Sequence, residues 1–202
     1  MVAVLVAVVL QVLLPDQLTL LPPWLLPAIE FALLVALIGA NPVRLERRHP
    51  AVRGGALGLV AVMTVANAGS AVLLIDHLLH GTAGRSAITL ISGGAAIYAT
   101  NIVAFGLWYW ELDRGGPFER SQGNRQHTDF LFAQMTTPDV APPNWEPSFV
   151  DYLYLSYTNA TAFSPTDTLP LSRWAKLLML AQSAIALATV ALVVARAVNI
   201  LP

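Results

Sequence analysis

Thr158, Asn159, Thr161 and Ser164 place four oxygen-bearing side chains within seven residues of an otherwise apolar chain, shortly before its last hydrophobic run. Hydroxyl and carboxamide oxygens can replace the water around a desolvated monovalent ion, so these four are the expected lining of an ion path. A second set lies upstream. Glu30 interrupts LLPAIEFALLVALIGA about six residues into the run, or ~9 Å along a helix. A charge at that depth is costly, which makes an intramembrane carboxyl a functional hypothesis by default. The functional reading is a proton- or cation-handling site shared with Asn67 and Asn101, each near the middle of its own apolar run. The plainer reading, preferred here, is a protonated or hydrogen-bonded carboxyl that fixes helix register.

The stretch DHLLH brings Asp76, His77 and His80 to the spacing of metal ligands on one helical face. Polar residues are expected at a helix end in any case, and no metal site is assigned. There is no G-x-S-x-G, H-E-x-x-H, P-loop or dinucleotide fingerprint, so the chain is not read as an enzyme and no cofactor is expected. No cysteine is present, which removes disulfides, thiolate nucleophiles and cysteine-held clusters from consideration.

The elements that must position these groups follow from composition. Of 202 residues, 56% are hydrophobic and 11% charged, against roughly a quarter charged in an average soluble domain. Lipid is therefore the expected solvent, and the fold class is all-α, a polytopic membrane helix bundle. A net charge of −1 without a long basic tract argues against nucleic acid, which needs clustered Lys and Arg. Windows approaching the about 20 apolar residues needed to cross a bilayer fall near 24–40, 54–80, 86–110 and 174–199. Residues 1–14 form a short or tilted fifth span, read as retained because no basic n-region precedes them. The expectation is a single membrane domain of four to five spans with a C-terminal re-entrant or half-helix segment.

Loop 41–53 holds Arg44, Arg47, Arg48 and Arg53, and the connection 111–147 adds Arg114, Arg120 and Arg125. An even number of spans separates the two, so both are expected in the cytoplasm, with the chain in a bacterial plasma membrane. Segment 148–170 either crosses outward or dips in and returns. Crossing leaves eight Lys or Arg inside and three outside, and returning leaves nine and two. The return is favoured. Within 111–147, Gly115, Gly116 and Pro117 stop a helix, DFLFAQM is a short amphipathic piece, and PDVAPPNWEP is an irregular linker.

The last helix carries Ala181, Ala184, Ala188, Ala191 and Ala195 in one 3-4-3-4 stripe, expected to be a helix packing face within the chain, with a subunit interface or pore lining as the other readings. The sequence SPTD is expected to start this helix, with Ser164 as N-cap, Pro165 at N1 and Asp167 at N3.

Residues 148–200, FVDYLYLSYTNATAFSPTD followed by LPLSRWAKLLMLAQSAIALATVALVVARAVNIL, loosely resemble the pore module of two-helix potassium channels. Setting Thr161 on the first filter threonine brings Asp167 onto the filter's terminal acid, while Ser164, Pro165 and Thr166 stand where that module has Gly-Tyr-Gly. Glycine is what readily takes the dihedrals that aim filter carbonyls at an ion, so selective potassium conduction is not expected. LWYWELDRGGP with SYTNATAFSPTD also resembles a family of uncharacterised actinobacterial integral membrane proteins, a likeness that implies no activity. Two functions follow. One is an ion channel, not potassium-selective, assembled as a homo-oligomer in the lipid bilayer and passing monovalent ions. The other is a non-conducting membrane protein acting as a structural or partner-binding component.

Overall fold

The computed structural model describes residues 2–19, 22, 24–39, 50–80, 87–122, 127–162 and 167–200. These are mostly helical, in eight α-helices: α1 (Val2–Val12), α2 (Leu25–Gly39), α3 (Pro50–Leu79), α4 (Ala87–Leu112), α5 (Pro117–Ser121), α6 (Ala133–Thr136), α7 (Phe149–Ala162) and α8 (Arg173–Ile200). Two short strands, β1 (Phe130–Phe132) and β2 (Thr168–Pro170), pair antiparallel, with Phe130 opposite Pro170 and Phe132 opposite Thr168. The all-α expectation is corrected to that extent. A three-residue strand is too short to show alternation, and its partner lies beyond a whole helix.

Three helical stretches are long and apolar enough to cross a membrane, Arg53–Leu78, Leu90–Gly115 and Arg173–Arg196. The expected four to five spans are not shown. α1 has 11 residues and α2 has 15, which at ~1.5 Å per residue fall short of a ~30 Å hydrocarbon core.

The chain divides into two compact units, residues 1–104 with 184–202, and residues 105–183. In the first, α1 turns Val4, Ala7, Val8 and Gln11 inward, the i, i+3, i+4, i+7 spacing of one helical face. α3 buries Leu59, Met63, Ala66, Asn67, Ser70 and Leu74 on a similar stripe. Leu14 and Leu18, from the turn after α1, join Leu74, Leu78, Leu90 and Ile97 in this unit's core.

The second unit is built around the end of α4. Gly115 and Gly116 take φ of 84° and 97°, a region open to glycine and costly for other residues. The helix therefore stops there, and Pro117 opens α5 from its first turn. α7 approaches α4 closely at Gly106, where an added Cβ would lie 3.3 Å from the Leu153 Cα. Tyr152 near the start of α7 and Trp174 at the start of α8 both pack on Phe130. Further along, Asn159 of α7 bonds to Met179 and Gln182 of α8. The two helices thus run in the same direction, and β2 lies beside β1 at the level where α7 begins.

One expectation about a helix end is overturned. α8 starts at Arg173, after a strand that begins one residue past Asp167, so Asp167 is not at N3. Its cap is Ser172, whose Oγ accepts from the Ala175 amide at 3.4 Å. Ser164 lies outside the described residues. Half of a capping box stands instead at SFVD, before α7. The Asp151 carboxylate accepts from the Ser148 amide and hydroxyl, each at 2.7 Å.

Candidate functional site

The polar residues of α7 meet α4 and α8 in a buried seam centred on Gln182, which is fully enclosed. Gln182 Oε1 accepts from the Tyr109 hydroxyl at 2.6 Å and from Asn159 Nδ2 at 2.8 Å. Its Nε2 donates to the Ser156 carbonyl at 2.9 Å and to Ser156 Oγ at 2.6 Å. Both donors and both acceptor positions of the carboxamide are thereby used. Asn159 gives a further bond to the Met179 carbonyl at 3.0 Å and is 3% exposed. Such networks are costly when incomplete, and this one is closed.

Of the four residues expected on an ion path, the three that are described are not brought to one surface. Asn159 is inside the seam. Thr158, half-buried, returns its hydroxyl to the Tyr154 and Leu155 carbonyls of its own helix, each at 3.0 Å. Thr161 is exposed and does the same to Tyr157 at 2.8 Å, and Ser164 is not among the described residues. The alanine stripe is also displaced. Ala181, Ala184, Ala191 and Ala195 are exposed and Ala188 is half-buried. The inward face of α8 is made by Ala175, Met179, Gln182, Ala186, Thr189 and Val193. In lipid both sides of a helix are apolar, so residue size alone did not mark the side that packs within this one chain.

The seam ends at a cluster of charges and rings. Asp113 is fully buried and accepts from the Tyr152 hydroxyl and, at 3.0 Å, from the Asp129 amide. Asp129 accepts from the Arg114 amide and from Trp174 Nε1, each at 2.9 Å. Arg120 Nη1 donates to the Trp110 carbonyl at 2.7 Å and the Asp113 carbonyl at 2.9 Å. Its guanidinium lies 4.4 Å from the Trp110 ring centre and 5.0 Å from that of Tyr152. Burial pulls Arg120 below its ordinary value, while Tyr152 and Asp113 push the other way. A guanidinium stays charged under such a shift. Phe130 completes the cluster, edge-on to Tyr109 at 5.1 Å and to Trp174 at 5.7 Å. No reacting pair emerges from this geometry. It locks α4, α5, β1, α7 and α8 together.

In the first unit, Glu30, Asn67 and Asn101 are all buried, at 0%, 3% and 0% exposure. The hydrogen-bond partner of Glu30 is Gln11 of α1, at 3.0 Å, and not either asparagine. Asp76 and His80 pair at 3.1 Å on the surface, whereas His77 Nε2 donates to the Gln17 carbonyl at 3.1 Å. Among the described residues no three His, Asp or Glu side chains converge as a metal site.

Sequence reasoning passed over Gln182, Gln11, Tyr109, Asp113 and Arg120. Gln182 and Gln11 had a readable signal, each being a lone carboxamide in an apolar run, LLMLAQSAIAL and VAVVLQVLL. No family model matches the chain, and neither a curated protein nor a solved structure matches it.

Proposed function

We propose that the chain is a non-conducting integral membrane protein of the bacterial plasma membrane, a structural component that recruits a protein partner through its cytoplasmic connection. In this reading α7 enters the bilayer as a half-helix from the cytoplasmic face and is sealed there within one subunit. One observation carries it: Asn159 spends its amide protons on Gln182 and Met179 of its own chain. A group on a hydrated path would keep its polar atoms toward water. Thr158 and Thr161, bonded back to their own helix, agree.

The partner-binding half rests on residues 136–140, all exposed, with Val140 at 83%. The stretch lies in the connection expected in the cytoplasm and is open to a partner there. The likeness to uncharacterised actinobacterial membrane proteins stays within the proposal and adds no activity to it.

Flux assays test this reading. Liposomes holding the purified chain should pass sodium and potassium no faster than empty ones, and Asn159→Leu should change nothing. Flux through the native chain that Asn159→Leu abolishes would overturn the proposal in favour of an ion channel assembled from several copies.

A further inference from the structure

Glu30 and Gln11 form a pair that is incomplete as a carboxylate and an amide. Glu30 is fully buried on α2, Gln11 is 5% exposed on α1, and Gln11 Nε2 donates to Glu30 Oε1 at 3.0 Å. Among the described residues, the remaining oxygens of the same two groups, Glu30 Oε2 and Gln11 Oε1, are buried without a partner. Both are acceptors, so neither can satisfy the other. Leaving two such atoms unpaired inside a protein is costly. A carboxylic acid removes the deficit. One proton on Oε2, donated to Gln11 Oε1, closes a ring of two hydrogen bonds between acid and carboxamide and satisfies both atoms together.

We propose that Glu30 is a proton-binding site buried between α1 and α2, and that its proton is the second fastening of α1 through Gln11. The ligand is the proton itself. No other charge near the middle of these helices competes for the role. α1 has no ionisable side chain and α2 has none besides Glu30, while α3 carries Arg53, Asp76 and His77 toward its ends and Asp16 lies in the turn after α1. Gln11 also lines a cavity of about 10 Å³ with Thr19 and Ser70, room for about one water. Loss of the proton sets two bare oxygens against each other and loosens α1, a helix of 11 residues that is too short to span on its own.

The sign of the pH dependence follows from linkage. The folded chain holds a proton that an exposed glutamate has released at neutral pH, so stability falls as pH rises. Glu30→Gln is the informative variant, because a second carboxamide can donate and accept at the same two positions without a titrating proton. The melting temperature of the native chain in detergent should fall as pH rises from about 4.3, where an exposed glutamate ionises, to neutrality, and that of Glu30→Gln should stay flat by comparison. Infrared spectra of the native chain labelled with ¹³C-glutamate should show a label-sensitive carboxylic-acid carbonyl band near neutral pH, missing in Glu30→Gln. Equal pH slopes, or no such band, overturn the proposal. If Glu30→Gln does not fold, a lipid-soluble carbodiimide decides on the native chain, since it modifies neutral buried acids. An adduct mapped to Glu30 supports the site, and an unmodified Glu30 at near-neutral pH sinks it.

Discussion

Gln182 is the residue on which the second unit depends most. It joins Tyr109 of α4, Ser156 and Asn159 of α7 and its own helix in one carboxamide. Replacing it with leucine keeps the volume roughly and removes every bond, leaving the Tyr109 hydroxyl and the Asn159 amide buried with fewer partners. Stranded buried groups cost about 1–3 kcal/mol, whereas a single interhelical bond in a membrane is worth only ~0.6 kcal/mol on average. Gln182→Leu should therefore lower stability by about 1–3 kcal/mol, and Tyr109→Phe, which removes one bond and strands little, by less than about 1 kcal/mol. Unfolding in mixed detergent micelles measures both. A larger loss for Tyr109→Phe than for Gln182→Leu would mean that the Tyr109 hydroxyl, and not the carboxamide, holds the seam.

Among the elements, the long apolar helices were legible because hydropathy is a local property, and α3, α4 and α8 begin and end close to the windows that composition gives. What escaped was set by distant partners. The signature S-x-x-D occurs twice in this segment, at Ser148 and at Ser164, and only the first starts a helix. The second precedes Thr168–Pro170, which is drawn into a strand by residues nearly forty positions earlier in the chain. Local capping chemistry was present in both places, and pairing with Phe130–Phe132 decided between them. Asn159 was recognised as unusual from its type alone, yet its burial depends on Gln182, which no local pattern links to it. Removing the real cap should be felt. Asp151→Ala, which deletes the carboxylate that accepts from the Ser148 amide and hydroxyl, should cost about 1 kcal/mol. Ser172→Ala, whose cap bond is long at 3.4 Å, should cost less. Thermal melts of the two variants in one detergent give the order, and the reverse order would show that α8 and not α7 is limited by its cap.

For the whole molecule, the deciding matter is the side of the membrane on which α8 begins. Leu171 donates its amide to the Asp129 carbonyl at 2.8 Å, so the entry to α8 stands beside the connection that carries Val140, and α7 runs the same way as α8. With the proposed half-helix, Arg173 and Lys176 join the arginines of 41–53 and 111–147 on the cytoplasmic face, and the count of Lys and Arg becomes nine to two. The positive-inside rule favours that arrangement. Because the chain has no cysteine, an introduced thiol is the only one that can react with a maleimide. Val140→Cys and Leu171→Cys, at residues 83% and 51% exposed, should both be labelled by a membrane-impermeant maleimide in inside-out vesicles and protected in intact spheroplasts. His80→Cys, whose histidine side chain is 69% exposed at the far end of α3, should show the opposite pattern. Leu171→Cys labelled from the side opposite Val140→Cys would make α7 a full crossing and remove the half-helix from the proposed function. Labelling of both from outside would keep the half-helix and reverse the orientation.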